Sequence, residues 1–351
     1  MISAVFSTAI ENHSAHDIAY EWAEEFARYF HVKAERKIFH VSSKIIPRTW
    51  LRIKVFINKI LPIARELRRA AKNISDPALT QDINSPLSVW FIMEVPHSSA
   101  CAGSNCLLIY TDVWTDTDIK YIVKRTKNFK LFYVTSRNIF ERIKAEDPNS
   151  NVHYMPLSVP DKYFSPNFAK YRDKTIDVIQ FGRKNSVLHS YMMQYANEHK
   201  YIDYVYSHDT PNSQRTYIST IRGNIGSFTT HEDFSRILSS AKVSLVSSPG
   251  VDIQRSRTVG VSFPTPRFYE SAILGCALIG RYPDNEEFRE LNMNRYCPNI
   301  TSYEQFAECL ERALAQTPEE LYAQNHDFII NSLTSKRAEQ IQRDLAELTE
   351  E

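Results

Sequence analysis

Residues 177–185 read Asp-Val-Ile-Gln-Phe-Gly-Arg-Lys-Asn, an apolar run that ends in glycine and continues into two cations. The run predicts a buried β-strand, and residues 187–199 predict the helix that follows it. Gly182 lets the backbone approach a ligand, and the start of the next helix favours an anion. Arg183 and Lys184 could neutralise a diphosphate at this turn. The alternative is a solvated turn that carries ordinary surface cations.

The same alternation of short apolar runs and helical stretches extends from this segment in both directions. Strands are predicted at residues 2–6, 37–41, 89–95, 107–110, 130–134, 175–181, 201–206, 242–247 and 277–280. Helices are predicted at residues 17–30, 47–72, 118–127, 137–145, 187–199 and 266–274, and Thr301 and Thr317 are predicted to open the last ones. This alternation indicates parallel sheets in an α/β fold.

The chain of 351 residues has the length of two domains. Three prolines between Met155 and Pro166 favour an extended connector. We therefore expect a first α/β domain at residues 1–158, which has an excess of basic side chains. A second, acidic domain is expected at residues 159–351, and its last helix is a candidate to pack back on the first domain.

The composition excludes several classes of protein. With 42 Lys and Arg against 41 Asp and Glu, the net charge is +1, which argues against a general nucleic-acid binder. Hydrophobic residues make up 43% of the chain, enough for two cores. Only 8 glycines occur, and neither a Walker loop nor a Gly-x-Gly-x-x-Gly fingerprint can be written. The cysteines include no Cys-x-x-Cys pair, which is typical of reduced, intracellular thiols. We expect neither a signal peptide nor a membrane span.

A second informative segment is residues 263–276, which read Phe-Pro-Thr-Pro-Arg-Phe-Tyr-Glu-Ser-Ala-Ile-Leu-Gly-Cys. Thr265 suits a helix N-cap and Pro266 the first helical position, so the first N–H groups of this helix could face a phosphate. Glu270 lies one turn further among apolar neighbours, and a buried carboxylate needs partners. The hydroxyls of a ribose would serve, and the alternative is an internal salt bridge to Arg267.

The connector, the Phe-Gly-Arg-Lys turn and the Arg-Phe-Tyr-Glu-Ser-Ala-Ile-Leu-Gly-Cys helix, taken in this order, resemble GT-B glycosyltransferases. Over about residues 150–345 the chain is similar to the "glycosyl transferases group 1" C-terminal domain, including its spore-protein-like branch. The resemblance implies two Rossmann-like domains that face a central cleft, with a nucleotide-sugar held by the second. The candidate donor-binding residues are Gly182, Arg183, Lys184, Thr265, Arg267 and Glu270, and the resemblance implies that Arg183 and Lys184 lie near the diphosphate and Glu270 on the ribose.

Two features depart from the family pattern. Many retaining members carry a further glutamate eight positions before the ribose glutamate, where this chain has Ser262. Many also carry a glycine-rich loop after the first strand, where residues 7–16 contain no glycine.

Candidates for the catalytic base are His13, which follows the first strand, and Glu94, at the end of the strand predicted at residues 89–95. A histidine in a surface loop and a structural loop carboxylate are the alternatives. The Asp116-Thr117-Asp118 string resembles a metal-binding motif, but acids at a helix start also favour the helix dipole. We expect no metal and no cofactor, since the nucleotide-sugar is a substrate.

Between residues 48 and 72, eight Lys or Arg residues are opposed by Glu66 alone, and apolar residues recur on one helical face. This segment is interpreted either as a contact with a membrane surface or lipid-linked acceptor, or as a helix packed on the first sheet with a solvated basic side. The sequence thus predicts a metal-independent, cytoplasmic glycosyltransferase, with a peripheral position at the inner face of the membrane as a second location. Its acceptor would be a glycan, a lipid-linked glycan or a protein. A non-catalytic GT-B-like binding module and a nucleotide-sugar epimerase remain alternatives.

Overall fold

The computed structural model describes residues 2–10, 17–39, 86–93, 105–111, 119–127, 129–166, 173–182, 184–209, 215–228, 230–252 and 262–350. Within these ranges the chain forms two six-stranded sheets covered by helices.

The first sheet is parallel throughout, with the strand order β2-β1-β3-β4-β5-β6. Its strands are β1 (Ile2–Ile10), β2 (Lys33–Phe39), β3 (Leu87–Met93), β4 (Cys106–Thr111), β5 (Leu131–Val134) and β6 (Val152–Tyr154). Every residue of β4 and β5 is buried, as expected of central parallel strands with both faces covered. The helices of this half are α1 (Asp17–Tyr29), α2 (Ile119–Thr126) and α3 (Arg137–Glu146).

The second sheet has the order β10-β9-β8-β7-β11-β12. Its strands are β7 (Ile176–Gln180), β8 (Tyr204–Asp209), β9 (Arg215–Ser219), β10 (Gly223–Gly226), β11 (Ala241–Ser247) and β12 (Ala277–Arg281). The helices are α4 (Ser186–Glu198), α5 (His231–Ser239), α6 (Pro266–Ile273), α7 (Glu286–Glu290), α8 (Met293–Tyr296), α9 (Tyr303–Ala315), α10 (Pro318–Asn331) and α11 (Thr334–Glu350).

β7 is the strand at which the strand order of the second sheet reverses. It pairs in parallel with β8 on one side and with β11 on the other, so Ile179 lies opposite both Val205 and Ser244. In open α/β sheets, ligands bind at the carboxyl ends of the strands beside such a reversal. The turn that follows β7 is therefore the position in this half where the fold itself favours a ligand.

The connector predicted between the halves is extended and is held by the end of the chain. Val159 forms a parallel bridge with Leu333, where α10 passes into α11. Trp22 of α1 donates its indole N–H to the carbonyl of Ser158 at 3.0 Å. The guanidinium of the half-buried Arg337 donates to the carbonyls of Pro156 and Leu157. Chain segments from both halves thus bind the connector backbone.

Side chains of the last helix contact the first half. Tyr29 donates to Gln342 at 2.9 Å, and Tyr133 donates to Asp344 at 2.7 Å. The division of the chain into domains at residue 158 stays a prediction. None of the described helices has the length and apolar character needed to cross a membrane.

The second half differs from the sequence prediction at its sheet edge, in its set of helices and at one helix cap. The β9–β10 hairpin adds two antiparallel strands to the sheet edge, and α5 was not predicted. Ser302, not Thr301, is the N-cap of α9, because the Ser302 hydroxyl accepts from the Gln305 N–H. The capping box at Thr317 is confirmed.

Candidate functional site

The turn after β7 contains Gly182 in a left-handed conformation with φ of +77°. An added Cβ at Gly182 would also lie 3.2 Å from Nε of Arg267, which is tighter than an ordinary van der Waals contact. Glycine is therefore required here by backbone conformation and by a close neighbour at once. The Ser207 hydroxyl donates to the Gly182 carbonyl at 2.8 Å and anchors the turn to β8.

Asn185 closes the turn and starts α4. Its side-chain oxygen accepts from the Leu188 N–H at 2.9 Å, and its amide donates to Asp252 at 2.9 Å. Asp252 forms an ion pair with Arg281 at the end of β12. The first turn of α4 is thereby tied to residues that follow β11 and end β12.

Arg183 and Lys184 were predicted to face a diphosphate, and of these two cations the structure describes Lys184. Its ammonium lies 5.1 Å from the ring centroid of Tyr206, and it pairs with no carboxylate within the described ranges. Burial, together with the Lys184 charge, lowers the pKa of His189 to about 4, so this imidazole is neutral. Lys184 therefore places a positive charge beside the start of α4.

Helix α6 begins next to this turn. Thr265 is its N-cap and Pro266 its first residue, as predicted, but the Thr265 hydroxyl makes no capping hydrogen bond. The Arg267 guanidinium lies 5.0 Å from the ring centroid of Phe181 and beside Gly182. The structure thus brings together Gly182 and Arg267, from two segments that the sequence analysis selected independently.

Glu270 is buried, with 4% of its surface exposed, and its carboxylate has partners on both oxygens. Arg267 donates to Oε2, which is the internal salt bridge that the sequence analysis held as the alternative. His231 Nε2 lies 3.1 Å from Oε1. Burial opposes the charge, but the Arg267 charge and the His231 contact outweigh it, and the pKa of Glu270 is lowered to about 2. Glu270 is an anion at neutral pH.

His231 is a site residue that the sequence analysis missed. It opens α5 after the N-cap Thr230, and 7% of its surface is exposed. Its Nδ1 lies 3.0 Å from Oε2 of Glu21 on α1. Tyr163 and Lys162 of the connector donate to the same carboxylate at 2.9 Å. The Thr-His-Glu-Asp string at residues 230–233 signals a helix start, but nothing in the sequence links it to Glu21.

Ser262, which replaces the glutamate expected from the sequence resemblance, lies near the end of β11. Its hydroxyl donates to the Ser248 hydroxyl at 2.8 Å, and its carbonyl accepts from Asn285 at 3.1 Å. These short local bonds hold the segment that leads into α6. Ser262 itself provides no acidic group at this position.

Several predicted residues lie outside the described ranges: His13, Glu94, Arg183, Asp116–Asp118 and the basic segment 48–72. Their roles stay predictions. Across the described part of the chain, no three His, Cys, Asp or Glu side chains are grouped as a metal site would require. The structure thus brings Gly182, Arg267 and Glu270 together, with His231 behind the carboxylate. Lys184 and Thr265 lie in the same two segments, at the starts of α4 and α6.

No protein-family model matches the chain, and no curated protein sequence matches it significantly. The fold of the chain is nevertheless similar to those of several solved structures. The structure of Anabaena Alr3699/HepE in complex with UDP and glucose aligns with a TM-score of 0.53 at 10% identity, over 98% of this chain and 100% of that one. The N-terminal domain of Candida albicans trehalose-6-phosphate phosphatase aligns with a TM-score of 0.52 at 9% identity, over 99% and 97%.

A further similar structure is accessory secretory protein 1,2 and 3 of Streptococcus pneumoniae, with a TM-score of 0.47 and 12% identity. It aligns over 76% of this chain and 54% of that one, so the chain spans about half its length. At identities this low, similarity establishes a shared fold. The chain has an α/β fold of the GT-B type, with two Rossmann-like halves, as the sequence resemblance implied.

Proposed function

We propose that this protein is a glycosyltransferase that takes its sugar from a nucleotide-sugar donor. The observation that carries the proposal is the cluster of Gly182, Arg267 and Glu270 at the carboxyl end of β7. This cluster lies beside β7, where the strand order of the second sheet reverses. Ligands of open α/β sheets bind at such a position. A left-handed glycine, cations and a buried carboxylate suit a ligand with a diphosphate and vicinal hydroxyls.

The donor would lie with its ribose on Glu270 and its diphosphate over the Gly182 turn. A carboxylate has about four lone-pair positions, and Glu270 uses its two oxygens for Arg267 and His231. Ribose hydroxyls could donate to the remaining positions without displacing either partner. Lys184, the N–H groups that open α6, and Arg183 would face the diphosphate.

Positive charge at this turn would stabilise the nucleoside diphosphate as it leaves, since negative charge grows on it in the transition state. We propose that the reaction is metal-independent, with Arg267 and Lys184 supplying that charge. His13 and Glu94 are the proposed candidates for the base that deprotonates the acceptor hydroxyl. The acceptor would be a glycan, a lipid-linked glycan or a protein, with cytoplasmic glycan synthesis as the setting.

Residues 48–72 are proposed to attract an anionic membrane or an acidic acceptor through their excess of cations. Co-sedimentation with vesicles of phosphatidylcholine alone and with added phosphatidylserine, at low and high salt, tests the membrane version. Binding to the anionic vesicles that salt weakens is expected. Equal recovery with both lipids, or none with either, would contradict it.

One observation favours a non-catalytic binding module as the second candidate. Glu270 is already satisfied by Arg267 and His231, so the buried charge requires no ligand for its stability. A panel of nucleotide-sugars, tested for thermal stabilisation and for slow hydrolysis, separates the two candidates. A glycosyltransferase is expected to be stabilised by one donor and to hydrolyse it. No stabilisation and no hydrolysis with any donor would favour the binding module.

A further inference from the structure

A chain of ionic contacts runs from the candidate donor site into the first half of the molecule. Its centre is His231, whose two ring nitrogens each face a carboxylate: Nδ1 is 3.0 Å from Glu21 and Nε2 is 3.1 Å from Glu270. A neutral imidazole carries one N–H and can donate to one of them, whereas an imidazolium donates to both. The geometry therefore favours a doubly protonated ring.

The hydroxyl of Tyr163 also lies near Nδ1, at 3.2 Å, and its contacts are compatible with the same doubly protonated ring. Its single hydrogen is directed to Glu21, whose carboxylate oxygens lie 2.9 and 3.0 Å away. The Tyr163 oxygen can then only accept from the ring. Both protons stay on His231.

The surrounding charges support the same state. The ionisable groups that face this cluster come from α1, the connector and α6: Glu21, Lys162, Tyr163, Arg267 and Glu270. Burial lowers the pKa of His231, but the bonds to the two carboxylates outweigh it and raise the pKa to about 9. Glu21 has a lowered pKa, because His231 and Lys162 outweigh the effect of burial.

We propose that His231 is a positioning residue, which as an imidazolium fixes Glu270 for the ribose of the donor and ties it to Glu21 on α1. This inference rests on the proposed function for the role of Glu270. Loss of the His231 proton would leave one of two buried carboxylates facing a ring nitrogen that has no hydrogen. Glu270 would then lose either its hydrogen bond from Nε2 or the positive charge that strengthens that bond, and donor affinity would fall with rising pH.

The charge state is tested first, on the wild-type protein without nucleotide. Nitrogen-15 NMR of the histidine rings at pH 7.5 is expected to show one ring with both nitrogens protonated. That signal should be absent in His231→Gln and present in His326→Gln, a control at an exposed histidine. A neutral His231 ring at pH 7.5 would overturn the proposal, whatever the protein binds.

The positioning role is tested by calorimetric titration with UDP and with GDP at pH 7 and pH 9.5. In the wild type, the nucleotide that binds at pH 7 should bind up to about fourfold more weakly at pH 9.5, because about three quarters of a group with a pKa of about 9 has then lost its proton. Glu21→Gln, which does not touch Glu270, should move this decline to lower pH by about one unit. A purely structural role for His231 would leave the pH profile unmoved in Glu21→Gln, and that result would overturn the proposal.

The two levels of inference fail in different ways. An imidazolium signal in a protein that binds neither nucleotide would overturn the proposed function, and the donor role of His231 with it. Binding that stays constant from pH 7 to pH 9.5 would overturn the positioning role alone.

Discussion

Tyr154 of the first half donates its hydroxyl hydrogen to Oε1 of Glu287 in the second half, at 2.9 Å. The other oxygen of Glu287 accepts the backbone N–H of Arg137, at the start of α3, at 3.2 Å. This carboxylate is almost fully buried between the two halves, and burial raises its pKa to about 7 against an ordinary value of 4.5. The contact is therefore sensitive to pH in the physiological range.

The first prediction is that Glu287→Gln changes how stability depends on pH. Between pH 4.5 and about 7 the folded protein binds more protons at Glu287 than the unfolded chain, so this group makes stability fall as pH rises. Glutamine cannot ionise, and its amide can accept from Arg137 and donate to Tyr154. The unfolding free energy of Glu287→Gln, taken relative to that of the wild type, should therefore rise by on the order of 1–3 kcal/mol from pH 5 to pH 8.

Urea denaturation at the two pH values measures this difference. The matched control is Glu286→Gln, since Glu286 is a neighbouring carboxylate that is exposed and pairs with Arg137. The unfolding free energy of Glu286→Gln, taken relative to that of the wild type, should change little between the two pH values. An identical shift in both variants would contradict the burial argument.

The second prediction concerns Gly182, where left-handed backbone and steric contact act together. Alanine in a left-handed conformation costs about 1–2 kcal/mol. At Gly182 the new methyl group would also press on Arg267 at 3.2 Å. Gly223 has a similar φ of +72°, but nothing lies within 4 Å of its added Cβ. Gly182→Ala should therefore destabilise the protein more than Gly223→Ala in denaturant titrations. Equal losses of stability in the two variants would contradict this steric argument, because Arg267 would then move away from the methyl group at no cost.

The third prediction follows from the corrected start of α9. Because the Ser302 hydroxyl accepts from the Gln305 N–H, Ser302→Ala should lower stability by about 1 kcal/mol. Thr301 is exposed, and its hydroxyl bonds only the Gln305 side chain within the described residues. Thr301→Ala should therefore cost less than half as much. Thermal denaturation of the two variants side by side ranks them, and the reverse ranking would contradict the cap assignment.

Much of the fold was predictable, because its central strands are short apolar runs between amphipathic helices. β9 and β10 escaped prediction since they lie at a sheet edge, where Gly223 and Gly226 interrupt an exposed strand without an apolar face. In the candidate site, the Arg267–Glu270 pair follows from helical spacing of three residues. The bond from His231 to Glu21 could not be predicted, because it joins helices from opposite halves that share no local sequence pattern.

The most direct test of the donor site is calorimetric titration of UDP and GDP, separately, into wild type and Glu270→Gln. A matched control is Glu308→Gln, which removes an exposed carboxylate from an ion pair with Arg312 on α9. Circular dichroism first establishes that each variant is folded. We predict that one nucleotide binds the wild type and Glu308→Gln equally, and binds Glu270→Gln at least about tenfold more weakly. Equal affinity for wild type and Glu270→Gln, or no binding of either nucleotide to the wild type, would contradict the account.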